Sequence, residues 1–111
     1  MTLKRLNRLA CLATILALAG ITGAHGDDSS TVALNLGSVI GSEQACGLTY
    51  DRGTIEHFIT EHVKASDMSF PSTLNMVTMA TKGQIESMSE SSLTAHCTQI
   101  RRIAKEYGFI K

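Results

Sequence analysis

The sequence predicts an all-α protein: a small single-domain bundle of four helices, or five if Gly83 divides the third, stapled by one disulfide. Three observations carry this reading. Apolar residues recur every three or four positions instead of alternating, the period of an amphipathic helix. A chain of 111 residues, 43% of them hydrophobic and with a single Pro, suits one domain and no more. Once an N-terminal export signal is set aside, two cysteines remain, Cys46 and Cys97.

The export signal is read over residues 1–26. Lys4, Arg5 and Arg8 give a positive start, and the stretch from Leu9 to Ile21 is uncharged and rich in Leu and Ala. Small residues follow at Thr22-Gly23-Ala24 and Ala24-His25-Gly26, before the polar Asp27-Asp28-Ser29-Ser30. That succession is the secretory signature. The apolar run falls short of the roughly 20 residues that span a bilayer, which argues for cleavage rather than a retained anchor. Cys11 stands at the start of the run, not after it, so it is no lipid attachment site. Cleavage leaves a helical domain over 27–111, in which seven Lys and Arg face ten Asp and Glu. The destination is the periplasm or the exterior, where an even cysteine count implies a disulfide. Closing a loop of about 50 residues removes roughly 4 kcal/mol of unfolded-chain entropy, a sizeable contribution in so small a domain.

The elements follow in order. Helix 1 is expected from about Thr31 to Gly47, with Val32, Leu36, Val39 and Ile40 inward and candidate N-caps from Asp27 to Thr31. Gly37, Gly41 and Ala45 form a small stripe that lets a neighbour approach, and the glycines place a break near Gly41-Ser42. Helix 2 runs from about Arg52 to Lys64, capped by Asp51, with Ile55, Phe58, Ile59, His62 and Val63 on one face. After a loop, Pro71 opens helix 3 at about Ser72, because a residue before Pro is biased away from helix. Leu74, Val77, Thr81, Ile85 and Met88 mark its face. Thr81-x-x-Gln84 resembles a capping box for a restart, and Ser87-x-x-Glu90 one for helix 4. Helix 4 extends from about Glu90 to Tyr107 on Leu93, Cys97, Ile100, Ala104 and Tyr107, with Gly108 at the position of a C′ glycine.

The search for chemistry is mostly negative. No phosphate loop, G-x-S-x-G elbow, H-E-x-x-H or C-x-x-C occurs, so no catalytic residue and no cofactor is expected. His96 and Cys97 are adjacent, but helical neighbours diverge by about 100°, and Cys97 is claimed by the bridge. His57 and Glu61, four apart, are weak metal candidates. Met76-x-x-Met79, with Met68 and Met88, has the soft donors of a Cu(I) site, although methionine more often fills cores or forms adaptable apolar surface. Arg101-Arg102-x-x-Lys105 either grips an acidic partner or sits solvated against the helix dipole, and the second reading is favoured. Phe109 and Ile110 at the C-terminus either dock on the bundle or offer a partner contact, and docking is favoured. The absence of a basic balance argues against nucleic acid and, after signal cleavage, against a membrane.

Export, a short mature chain, helices throughout and cysteines 51 positions apart make the layout resemble the small periplasmic acid-stress chaperones of the HdeA type. The matching features are Cys46 near the end of the first helix and Cys97 within Leu93-Thr94-Ala95-His96-Cys97-Thr98-Gln99; a Trp near the first Cys and a Lys-rich tail have no counterpart. The resemblance implies a homodimer that opens in acid and holds unfolding clients on exposed apolar surface. Three functional expectations follow. The first is a small exported non-enzymatic protein-binding module whose partner is another envelope or client protein. The second is an acid-activated holdase, and the third a metal-binding periplasmic protein.

Overall fold

The computed structural model describes residues 28–111, and the export signal read over 1–26 lies outside the described residues. Within them the chain forms four helices and no strand: α1 (Ser29–Gly41), α2 (Arg52–His62), α3 (Phe70–Glu86) and α4 (Glu90–Glu106).

The first helix opens on Asp28, whose side chain accepts from the Ser30 amide at 3.2 Å. It yields at Gly41-Ser42, as the sequence suggests: the amides of Ser42 and Glu43 tighten onto the carbonyls of Val39 and Ile40. One further turn ends at Gly47, with φ +66°, where the Leu48 amide bonds to Glu43 O at 2.8 Å and the Gly47 amide to Gln44 O at 3.1 Å. This pair of bonds is a Schellman closure, which requires the left-handed conformation that glycine adopts without strain. In α2, Asp51 caps as expected, accepting from the Thr54 amide at 3.1 Å. Its Ile55, Phe58 and Ile59, with Val63 just beyond, are half-buried against the core.

Several boundaries differ from the sequence reading: α1 starts at Ser29 rather than Thr31, and α2 and α3 end two residues early, at His62 and Glu86. Helix α3 starts at Phe70, two residues early, because a proline in the first turn leaves no helical bond unmade and burial of Phe70 anchors the turn. It continues through Gly83 to Glu86, so the described residues form four helices and not five. Thr81 is buried in α3 rather than capping a restart, and Gly83 faces open space, where its cost is only one of propensity. The cap of α4 is Ser89, accepting from the Ser92 amide at 3.2 Å, while Ser87 is occupied with the end of α3 through its hydroxyl bond to Gln84 O.

Packing follows the small stripe. A Cβ on Gly37 would lie 2.6 Å from Val77 Cγ1, and one on Gly41 would lie 2.8 Å from the Thr78 carbonyl oxygen. The two glycines let α1 and α3 run in the same direction with their backbones close. On its other side α1 buries Val32, Leu36 and Val39 against Tyr50, Phe70, Ile100, Ala104 and Phe109. The disulfide joins the turn after α1 to the middle of α4, with Cys46 and Cys97 Cα atoms 5.3 Å apart and the sulfurs 2.11 Å apart.

Candidate functional site

Around the disulfide, α1 and α4 are held by two polar bonds as well. Arg101 donates from its guanidinium to the Cys46 carbonyl at 3.2 Å. The Ser42 hydroxyl donates to the Ser38 carbonyl at 2.7 Å and contacts His96 Nε2, also at 2.7 Å. A serine beside a histidine invites a hydrolytic reading, but the proton inventory opposes it. Only the hydroxyl proton can lie between Ser42 Oγ and a carbonyl oxygen, so the histidine contact is made by Nε2–H donating to Oγ. A base would need its lone pair there. Ser42 is also fully buried, so the pair acts as a tie between helices 54 residues apart in sequence.

The opposite end of the core is aromatic. Tyr107 is the C-cap of α4; Gly108, with φ +78°, turns the chain back, and the Gly108 and Phe109 amides bond to the Lys105 and Ala104 carbonyls. This second Schellman closure drives Phe109 inward until it is 1% exposed. Its ring lies 5.7 Å from those of both Tyr50 and Phe58, and its carbonyl accepts from the Asp51 amide at 3.0 Å. Phe58 also stacks on His62 at 4.2 Å and leans on Tyr107 at 4.5 Å. Tyr50 donates to the Val39 carbonyl at 2.9 Å, and burial, with Glu43 nearby, pushes its phenol up to about 12.

The tail therefore docks. Phe109 is buried in the core instead of being offered to a partner, and Ile110 is half-buried against the same core. Arg101 and Arg102 are exposed, but the first is bonded to Cys46 and the second to Gln99 Oε1 of its own helix at 2.9 Å. His57 and Glu61 meet at 3.0 Å on the solvent face of α2. No third ligand joins them: no group of three His, Cys, Asp or Glu suited to a metal occurs among the described residues.

What remains uncovered is the outer side of α3. Met76 and Met79 are 70% and 64% exposed, and Ala80 and Gly83 on the same side are open to solvent. Positions three, four and seven apart share one face of a helix, so these four residues form a second stripe, away from the one that packs on α1. From Phe70 to Thr81 the helix carries no charge. Just before it, Met68 stands 82% exposed at the rim of an apolar cleft of about 300 Å³ lined by Ile59, Val63, Phe70 and Pro71. The methionines that the sequence leaves open between core and surface are surface here, except Met88, which is half-buried.

Asp67, at the turn into α3, accepts from the Ser69 amide and hydroxyl at 3.1 and 2.7 Å, and bonds from Ser29 and Ser69 hold its carboxyl below the usual carboxylate range. No helix among the described residues is long and apolar enough to cross a membrane. No family model, curated protein or solved structure matches the chain.

Proposed function

We propose that the protein is a small exported, non-enzymatic protein-binding module that makes its contact through the outer face of α3. The observation that carries this reading is the pair Met76 and Met79, both largely exposed on an uncharged face of an ordered helix. Large apolar side chains gathered on one face mark contact surfaces more often than chance exposure, and flexible thioethers adapt to the partner they meet. The Cys46–Cys97 bridge is compatible with an oxidising compartment such as the periplasm, and it suits a scaffold that presents this face without rearranging.

Photo-crosslinking tests the reading. A photoreactive side chain replacing Met79 is expected to give a discrete protein adduct in an exporting host. The same group at Thr98, on the solvent side of α4, is expected to give none. Equal labelling from both positions, or none from position 79, would overturn the proposal. Suppression of client aggregation by the protein at pH 2.5 but not at pH 7 would replace it with the acid-activated holdase.

A further inference from the structure

We propose that the Cys46–Cys97 bridge is a site of thiol–disulfide exchange, at which a small thiol carrying a carboxylate attacks Cys46 and is steered there by Arg101. This inference concerns the side of the molecule where α1 meets α4 and does not depend on the reading of the α3 face.

The two cysteines are only 4% and 5% exposed, yet both line one open groove of about 280 Å³, together with Ala45, Leu93, Thr94 and Arg101. A bridge sealed inside the core would be out of reach of a nucleophile. This one forms part of a groove wall, and at roughly 30 Å³ per water the space admits a short aliphatic thiol.

The groove also has a sign. Arg101 is the one charged side chain that lines it. Its guanidinium is fixed there by donating to the Cys46 carbonyl at 3.2 Å, and no carboxylate among the described residues forms an ion pair with it. The Thr94 hydroxyl is taken by the Glu90 carbonyl at 2.9 Å. An incoming molecule therefore meets one cation that nothing internal neutralises, which favours a thiol that brings an anion.

The two sulfurs are not equivalent. Cys46 sits in the turn after α1, between exposed Ala45 and Gly47, whereas Cys97 sits in the middle of α4. An adduct on Cys46 extends from a turn and leaves every helix intact. In the exchange the thiolate sulfur bonds to Cys46 Sγ, the bond between the two Sγ atoms breaks, and its electron pair leaves on Cys97 as a thiolate. One disulfide is consumed and one is formed, so the thiol is the only co-reactant. Arg101 lies four positions beyond Cys97 on the same face of α4, where its charge also favours the departing thiolate.

The test treats the oxidised protein, recovered from an exporting host, with two thiols of similar size and opposite charge, mercaptopropionate and cysteamine. Each rate is divided by that of the same thiol with an unstructured disulfide peptide, which removes intrinsic nucleophilicity. Acid quenching traps the first adduct, and peptide mass mapping locates it. The corrected rate for mercaptopropionate is expected to exceed that for cysteamine roughly tenfold at low salt, and the ratio should fall as salt is added. Arg101→Gln should bring the ratio near one, while Arg101→Lys should keep most of it; a merely structural arginine would move neither. The adduct is expected on Cys46, at a rate little changed by about 1 M urea. A ratio near one in the native protein, a ratio unchanged in Arg101→Gln, or an adduct on Cys97 overturns the proposal. So does a rate that climbs steeply with urea, because attack would then require the bundle to open first.

Discussion

On the side of the molecule where α1 meets α4, each polar atom taken out of water has a partner, and a covalent bond closes the seam. Ser42 is bonded to Ser38 and His96, Arg101 to Cys46, and Tyr50 to Val39. No buried side-chain nitrogen or oxygen is left unpaired among the described residues. The outer side of α3 has none of this: two exposed methionines, an alanine, a glycine, and a single hydrogen bond from Asn75 to the Met79 sulfur at 3.8 Å. Stability is concentrated where residues are locked, and the surface free to meet another molecule lies where nothing internal depends on it. A small domain can keep an adaptable apolar face only if another part of it holds the fold.

The largest effects should fall on the locked side. Replacing Cys46 and Cys97 together with Ser is expected to lower unfolding free energy by about 4 kcal/mol, and Phe109→Ala by about 3–5 kcal/mol. Urea titration measures both, and a loss below about 1 kcal/mol for either would break the comparison. Gly41→Ala comes next: its new Cβ would sit 2.8 Å from the Thr78 backbone oxygen, costing about 2 kcal/mol net of the helix propensity gained.

Alkali probes the same side through Tyr50. Its phenol ionises at about 12 in the fold, against about 10 in an unfolded chain. The stabilisation is therefore complete below about pH 10 and lost as pH rises towards 12. Tyrosinate absorbance should appear together with unfolding over that window, and Tyr50→Phe should flatten the dependence. Tyr107, also raised by its burial and by Glu106, adds a smaller contribution of the same sign.

The outer side of α3 should answer differently to the same chemistry. Gly83→Ala meets open space, so it is expected to stabilise by about 0.5–1 kcal/mol. That is opposite in sign to the same substitution at Gly41, and equal signs at the two positions would remove the distinction between the faces. Smallest of all, Met79→Gln should change stability by less than about 0.5 kcal/mol while weakening the contact proposed for this face.

Much of the locked side was legible in the sequence because its signals are local or countable. Once residues 1–26 are read as an export signal, two cysteines allow one pairing, Asp51 precedes an amphipathic run, and Gly108 follows a helix that ends in cations. The break at Gly41-Ser42 was visible in the glycines. Other features depend on three-dimensional context. The sequence offers Ser87 as the cap of helix 4, and only the packing decides that Ser87 finishes α3 while Ser89 starts α4. Phe70 joins the helix because the core takes its ring, against the local bias imposed by Pro71. Ser42 and His96 meet across two helices, which no periodicity records. The outer stripe of α3 was present in the spacing of Met76, Met79, Ala80 and Gly83, but methionine reads equally as core filler until it is known which face α1 covers.

The bridge also changes what a broken chain would look like. Everything from Gly47 to His96, including α2, α3 and the first half of α4, lies within the loop that Cys46 and Cys97 close. A protease cutting the exposed Ala65-Ser66 link, or the turn between α3 and α4, produces a nick and not two pieces. On a gel without reductant the cut molecule would still run as one species, and it would separate into fragments only when the sulfurs were reduced. The covalent loop thus lets the protein survive peptide-bond cleavage as a single particle, with the α3 face still attached to the half that holds it.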